Sequence, residues 1–182
     1  MNRMKQKYIE QVRPALKKEL SAPNDLAVPR LEKIVVSVGI GSKEANKAKA
    51  FESMAEQLKV ITGQKPKQTA AKQSIAGFNI RQGEPVGLMV TLRGDRMWEF
   101  MDKLIGVVLP RFKDFQGVSK TAFDKSGNYN LGITEQIVFP EIEYDTIDRI
   151  RGLQVTVVTS TKNTDEARKL LELLGMPFTK ES

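Results

Sequence analysis

The sequence predicts an α+β fold: an antiparallel sheet with helices packed on one face, an open polar face, and a long protruding basic loop. Three observations lead there. Segments near 31–38, 86–93 and 153–161 alternate apolar and polar residues, the two-residue period of half-buried strands. Segments near 3–20, 44–62, 96–108 and 164–174 space their apolar residues as helices do. The two kinds are interspersed without the strict strand–helix–strand rhythm of a parallel sheet. The length of 182 residues suits one domain spanning 1–182. At this size folding buries roughly 70% of the unfolded surface, so the core needs no staples.

Taken in order, Met4, Tyr8, Val12 and Leu16 recur at spacing four and define the first helix. Pro14 lacks an N–H and clashes with the preceding turn, which predicts a kink or break near Arg13. Lys5, Lys7, Arg13, Lys17 and Lys18 crowd this segment, as a solvated face or as a surface for phosphate. After a turn-rich stretch, Leu31–Val38 reads as a strand. Ile34, Val36 and Val38 face one way; Lys33, Val35 and Ser37 face the other. Gly39-Ile40-Gly41 follows, and Ser42 is the expected cap of a helix over 44–62 that ends at Gly63. A dinucleotide fingerprint would need glycine where Glu44 stands, and no Walker lysine follows. The glycines therefore read as a tight turn rather than a phosphate cradle.

Val86–Arg93 is the second strand, with Leu88, Val90 and Leu92 opposite Gly87, Met89, Thr91 and Arg93. Gly94-Asp95 supplies a turn and a cap for the helix from Arg96 to about Val108. That helix buries Met97, Phe100, Met101, Leu104, Ile105 and Val108, and Trp98 at the edge of the stripe reads as packing. Leu109–Phe115 and Ser119–Asn130 read as mixed loop and short strand, with turn chemistry at Asp124–Asn128. Leu153–Thr161 is a third strand, and Asn163 or Thr164 caps a last helix that Gly175 and Pro177 stop.

Charge is segregated along the chain. The net balance is +7, from 29 Lys+Arg against 22 Asp+Glu, and polyanions are the natural partners of such a surface. Gln57 to Gly83 holds no acid but five bases: Lys59, Lys65, Lys67, Lys72 and Arg81. Within it the stretch at about 64–83 is small and polar, which suits an extended hairpin or loop touching phosphate. Residues 126–148 reverse the pattern, with Glu135, Glu141, Glu143, Asp145 and Asp148 and no base. That patch suits solvent or a basic protein. In one antiparallel sheet the first two strands would share a polar face carrying Lys33, Ser37, Thr91 and Arg93, an arrangement able to hold RNA.

The chain has no cysteine and no histidine. Disulfides, His/Cys zinc sites and Ser-His-Asp or Cys-His nucleophiles are excluded. No apolar run approaches the roughly 20 residues of a membrane span, and Met1–Lys7 lacks the apolar core of a signal peptide. No cofactor and no membrane partner are expected.

Several motifs stand in order: Gly63-Gln-Lys-Pro66, Lys72-Gln-Ser-Ile-Ala-Gly-Phe78, Val90-Thr-Leu-Arg-Gly94, Met97-Trp-Glu-Phe100, Pro110-Arg-Phe-Lys-Asp-Phe115, Gly127-Asn-Tyr129 and Glu135-Gln-Ile-Val-Phe-Pro-Glu-Ile142. As an ordered set over about 28–170 they resemble the family of bacterial large-subunit ribosomal protein number five. The resemblance implies a cytoplasmic, non-catalytic constituent of the large ribosomal subunit that binds 5S rRNA and attaches it to 23S rRNA in the central protuberance. It implies a 5S rRNA face of Lys33, Ser37, Gln64, Lys65, Thr91 and Arg93. It implies a loop contacting P-site tRNA through Lys72, Gln73, Ser74, Ile75, Ala76, Gly77, Phe78 and Arg81. Arg13, Arg111, Lys113 and Lys120 would meet other rRNA. Glu135, Glu141, Glu143 and Asp145 would meet a basic small-subunit protein in an intersubunit bridge, with large-subunit proteins as further neighbours. The chain departs from the family pattern at Ser37 (usually Asn), Gln73 (commonly Lys or Arg), Gln116 (usually Arg) and Lys125 (usually Gly).

Two other classes stay in view. An RNA-processing enzyme would need carboxylates converging near the basic face, and the acids here cluster in 126–148 instead. An adaptor would use the acidic patch alone.

Overall fold

The computed structural model describes residues 2–41, 46–113 and 115–179. Its strands are β1 (Leu31–Gly39), β2 (Lys67–Ala70), β3 (Pro85–Leu92), β4 (Tyr129–Ile133) and β5 (Leu153–Thr159). Its α-helices are α1 (Arg3–Lys7), α2 (Arg13–Glu19), α3 (Lys47–Thr62), α4 (Gly94–Lys103) and α5 (Thr164–Leu174). The strands form one five-stranded antiparallel sheet in the order β2-β3-β1-β5-β4, and the fold class is α+β as expected.

The alternation read from the sequence is the alternation in the fold. Ile34, Val36 and Val38 of β1 and Leu88, Val90 and Leu92 of β3 are buried. Lys33, Val35, Ser37, Met89 and Thr91 between them are half-exposed. Each buried aliphatic side chain contributes about 1.5–3 kcal/mol, so the inward row decides which way each strand faces.

Contacts divide the chain into two compact units. The first comprises Met1–Ile34, Leu92–Leu131 and Thr156–Ser182. In it Met4, Tyr8, Val12 and Leu16 are buried at the expected spacing, and α1 packs against α4. The Tyr8 and Trp98 rings lie 5.4 Å apart and both are buried, which confirms Trp98 as packing. Pro14 does not break the helix. A π turn, Tyr8–Val12, joins α1 to α2, and the Arg13 N–H donates to the Tyr8 carbonyl five residues back. The wider turn makes room for the pyrrolidine ring. The same device recurs before Pro110: a π turn over Leu104–Val108 continues α4, and Leu109 N–H donates to Leu104 O. In both places the proline stands six residues after the first residue of the π turn.

The caps show where the sequence reading was close. Asn163 Oδ1 accepts from Asp165 N at 3.0 Å, and Gly175 closes α5 at φ +108°. Lys7 Nζ donates to the Leu174 carbonyl at 2.8 Å, adding a cation at that helix's negative end. Asp95 is not a cap. The helix begins at Gly94, and Asp95 pairs with Lys5 at 2.8 Å instead. The expected cap at Ser42 lies outside the described residues; α3 is capped by Asn46, whose side chain accepts from Lys49 N.

The second unit comprises Val35–Thr91 and Gly132–Val155. Its α3 buries Phe51, Met54, Leu58 and Ile61, with Gly63 as left-handed cap at φ +68°. Strand β2 pairs antiparallel with β3: Lys67 with Met89, Gln68 with Leu88, Thr69 with Gly87 and Ala70 with Pro85. The register slips between Thr69 and Ala70. Val86, opposite the slip, offers its carbonyl to Ile40 N at 2.9 Å. At Gly87 a Cβ would stand 2.5 Å from the Val38 carbonyl oxygen, so only glycine lets the backbones approach this closely. At Gly39 a Cβ would meet nothing within 4 Å among the described residues. Gly87→Ala is therefore expected to lower unfolding stability by about 1–3 kcal/mol, the usual cost of overpacking. Gly39→Ala should change it by less than about 1 kcal/mol. Urea unfolding of the two variants checks the contrast.

Candidate nucleic-acid interface

The outward row of the sheet carries the polar residues singled out above. Thr62, the last residue of α3, donates through Oγ1 to Leu58 O at 2.7 Å and accepts from Gln64 N at 3.3 Å. This turn aims the Gln64 amide at the sheet, where Nε2 donates to the Thr91 carbonyl at 3.3 Å. Gln64 and Thr91, far apart in sequence, are thus brought together. Ser37 is half-exposed on the outward row of β1, the strand next to β3, and Lys65 is exposed beside Gln64. Lys33 and Arg93 belong to the first unit, half-exposed in β1 and exposed at the N-cap of α4. In the same unit Arg13 is half-exposed at the start of α2, Arg111 and Lys113 are exposed, and Lys120 is half-exposed.

The basic stretch is a hairpin. Beyond β2, Ala71 N and Glu84 O bond at 2.9 Å, and Ile75 and Ile80 exchange two backbone bonds of 2.9 and 3.2 Å. A 3-10 turn over Ala76–Phe78 and left-handed Asn79 make the tip. Lys72, Gln73, Ser74, Ile75, Ala76, Gly77, Phe78 and Arg81 are all exposed. Ser74 Oγ accepts from Gln82 N at 2.9 Å. Glu84 at the base is bound inward: Lys47 Nζ donates to one carboxylate oxygen and Arg81 N donates to the other at 3.1 Å. These bonds, that to Lys47 foremost, hold its carboxyl below the ordinary value.

In the acidic stretch Glu141, Glu143 and Asp145 are exposed and Glu135 is half-exposed. Asp148, the fifth acid, is employed within the chain. Arg151, buried, donates to its two oxygens at 2.8 and 2.9 Å, and Ser53 Oγ donates at 3.1 Å. The Arg151 hydrogen bonds hold the Asp148 carboxyl at about 2, partial burial opposing them. Behind this pair lies Gln136, fully buried. Its Nε2 donates to Arg149 O at 2.7 Å, and its Oε1 accepts from Arg151 N. Gln57, on α3, accepts from Gln136 and donates to Ser53. Sequence reasoning missed Arg149 and Arg151, two arginines that directly follow the acidic run.

Among the described residues no cluster of acids could hold a metal ion, and no helix is long and apolar enough to cross a membrane. A polar sheet row, a basic hairpin whose one acid is turned inward, and a separate acidic segment suit the class of structural RNA-binding proteins. Comparison with known proteins makes the class particular. The profile of ribosomal protein L5 matches residues 24–81, and the profile of the C-terminus of the same ribosomal family matches 85–178. The large ribosomal subunit protein uL5 of Anaeromyxobacter sp. (strain K) is 54% identical over 176 residues, 97% of each chain. That of Thermoanaerobacter sp. (strain X514) is 53% identical over 180 residues, 99% of this chain and 100% of the relative. The chain belongs to the ribosomal protein L5 family. It is a non-enzymatic structural constituent of the large ribosomal subunit, and its place is the cytoplasm.

The Asp148 shift predicts an acid dependence. Because the folded value lies below the ordinary carboxylate value, the pair's stabilisation is complete above about pH 4 and is lost as pH falls toward about 2. Asp148→Asn should lower stability at pH 7 by about 1–3 kcal/mol, the cost of under-satisfying a buried donor. It should also flatten the acid limb, as read by chemical unfolding across pH.

Proposed function

We propose that this chain binds 5S rRNA through the outward sheet row and attaches it to 23S rRNA in the central protuberance. The observation that carries the reading is the bond from the Gln64 amide to the Thr91 backbone, which joins the acid-free stretch 57–83 to the outward row of the sheet. Ser37, Gln64 and Thr91 position the RNA by hydrogen bonds, while Lys33, Lys65 and Arg93 supply phosphate contacts that carry no sequence information. Such a surface reads the backbone and 2′-hydroxyls of a folded RNA rather than a linear sequence. Ser37 offers one hydroxyl where relatives of this family usually present an amide, so the weight falls on Gln64 and Thr91.

The remaining surfaces complete the proposal. Arg13, Arg111, Lys113 and Lys120 contact other rRNA. The hairpin, through Lys72, Arg81 and the tip between them, contacts P-site tRNA. Glu135, Glu141, Glu143 and Asp145 face a basic small-subunit protein. Neighbouring large-subunit proteins complete the surroundings.

The test is a salt series with purified protein and 5S rRNA, with tRNA and a scrambled RNA of equal length as competitors. Preference for 5S rRNA should survive rising salt, with the phosphate share read from the slope. Thr91→Val and Gln64→Ala should each weaken 5S rRNA binding about 5–10-fold, the worth of one hydrogen bond. Lys72→Ala and Arg81→Ala should each reduce the salt slope for tRNA by about 1. Equal binding of all three RNAs, released together by salt, would reduce the interaction to polyanion attraction.

A further inference from the structure

A cavity of about 640 Å³ opens in the second unit, lined by Gly39 and Gly41, by 77–80 at the hairpin tip and by 149–152. We propose that it receives one unstacked nucleotide of a bound RNA, the base against the Phe78 ring and the phosphate toward the wall formed by 149–152. The proposal rests on the RNA-binding reading above and names a pocket that this reading does not require.

Three observations support it. The volume falls among small-ligand sites, which run to about 300–1,000 Å³. Among the described residues the lining holds two arginines and no carboxylate, so an anion suits it. Phe78 is 65% exposed, a ring presented to solvent, and Ile150 beside the cavity is 44% exposed. Aromatic faces of this kind accept any base by stacking.

The glycines argue the same way. Neither Gly39 nor Gly77 has a left-handed φ, and a Cβ at either would meet nothing within 4 Å among the described residues. Internal packing demands glycine at Gly87 but not here. What their bareness provides is room for a guest.

The walls are also fixed in advance, which spares a ligand the cost of ordering them. Ile40, between the two floor glycines, is tied to Val86 O. The tip is closed by the Ile75–Ile80 pair. Gln136 grips Arg149 O and Arg151 N from beneath.

Phe78→Trp in the full-length protein reports on the site. The native Trp98 is only 6% exposed and gives a constant background. The introduced indole should be quenched saturably by a short single-stranded RNA, and by 5S rRNA or tRNA if the nucleotide comes from either. A fully paired RNA duplex should require at least about 5-fold higher concentration. Adding Gly39→Leu should weaken the single-strand titration about 5-fold or more while melting and circular dichroism stay unchanged, and Phe78→Ala should weaken binding comparably by gel shift. Equal quenching by duplex and single strand, or indifference to both Gly39→Leu and Phe78→Ala with 5S rRNA still bound, would overturn the pocket and leave the RNA reading intact. Loss of 5S rRNA binding by the unmodified protein would instead overturn that reading. Saturable quenching by an acidic Glu/Tyr peptide that displaces the RNA would assign the cavity to a protein segment and overturn the nucleotide.

Discussion

Strand β1 lies at the centre of the sheet, and its two-residue period is the constraint on which the two faces depend. With Ile34, Val36 and Val38 inward, Lys33, Val35 and Ser37 must point outward. A slip of one residue would bury a lysine and a serine and expose three aliphatics, at a cost of several kcal/mol. Strand β3 repeats the choice and delivers Thr91 to the outward row. The polar face is thus a by-product of core burial, which is why it can be built from residues that contribute little to stability. The price is the backbone approach at Gly87, where no other residue fits.

A second constraint shapes the segment after β4. Residues 134–151 carry little regular structure beyond two short 3-10 turns, yet Gln136 is fully buried among polar partners. Its amide satisfies Arg149 O and Arg151 N, groups that would otherwise be costly orphans. Arg151 and Asp148 extend this network to Ser53 on α3. The segment therefore has a fixed course without strand or helix pairing. Its exposed acids, Glu141, Glu143 and Asp145, are carried on a braced loop rather than a tether.

The central strands and the helix stripes were legible because burial imposes a period on their residues. The sheet edges were not. Strand β2, Lys67-Gln-Thr-Ala, buries no side chain fully, so its pairing is written in hydrogen bonds that leave no pattern. In β4 the residues Tyr129, Leu131 and Ile133 do alternate, but Asn130 and Gly132 between them resemble loop chemistry. Pro14 read as a kink or break because a π turn is a geometric remedy with no residue signature of its own. Of the candidate site, the outward positions of Lys33, Ser37 and Thr91 were legible from strand parity, whereas Arg93 lies beyond β3 at the N-cap of α4 and Gln64 entered through family likeness. The Gln57–Gln136–Arg151 network was invisible, since polar residues read as surface until a partner is placed beside them.

Charge segregation has a structural corollary at the hairpin. An acid at its base would lower the potential along the basic stretch that precedes it, and Glu84 stands there. Its carboxylate is turned to internal use, one oxygen on Lys47 and the other on the Arg81 N–H. Lys47 neutralises it locally, while the backbone bond closes the turn that supports the tip. One residue thus stabilises the loop and withdraws its own charge from the surface. Over the Debye length of about 8 Å at physiological salt, such local pairing decides what an approaching phosphate meets. The hairpin can then present Lys72 and Arg81 to a polyanion although an acid sits within a few residues of both its ladder and its arginine.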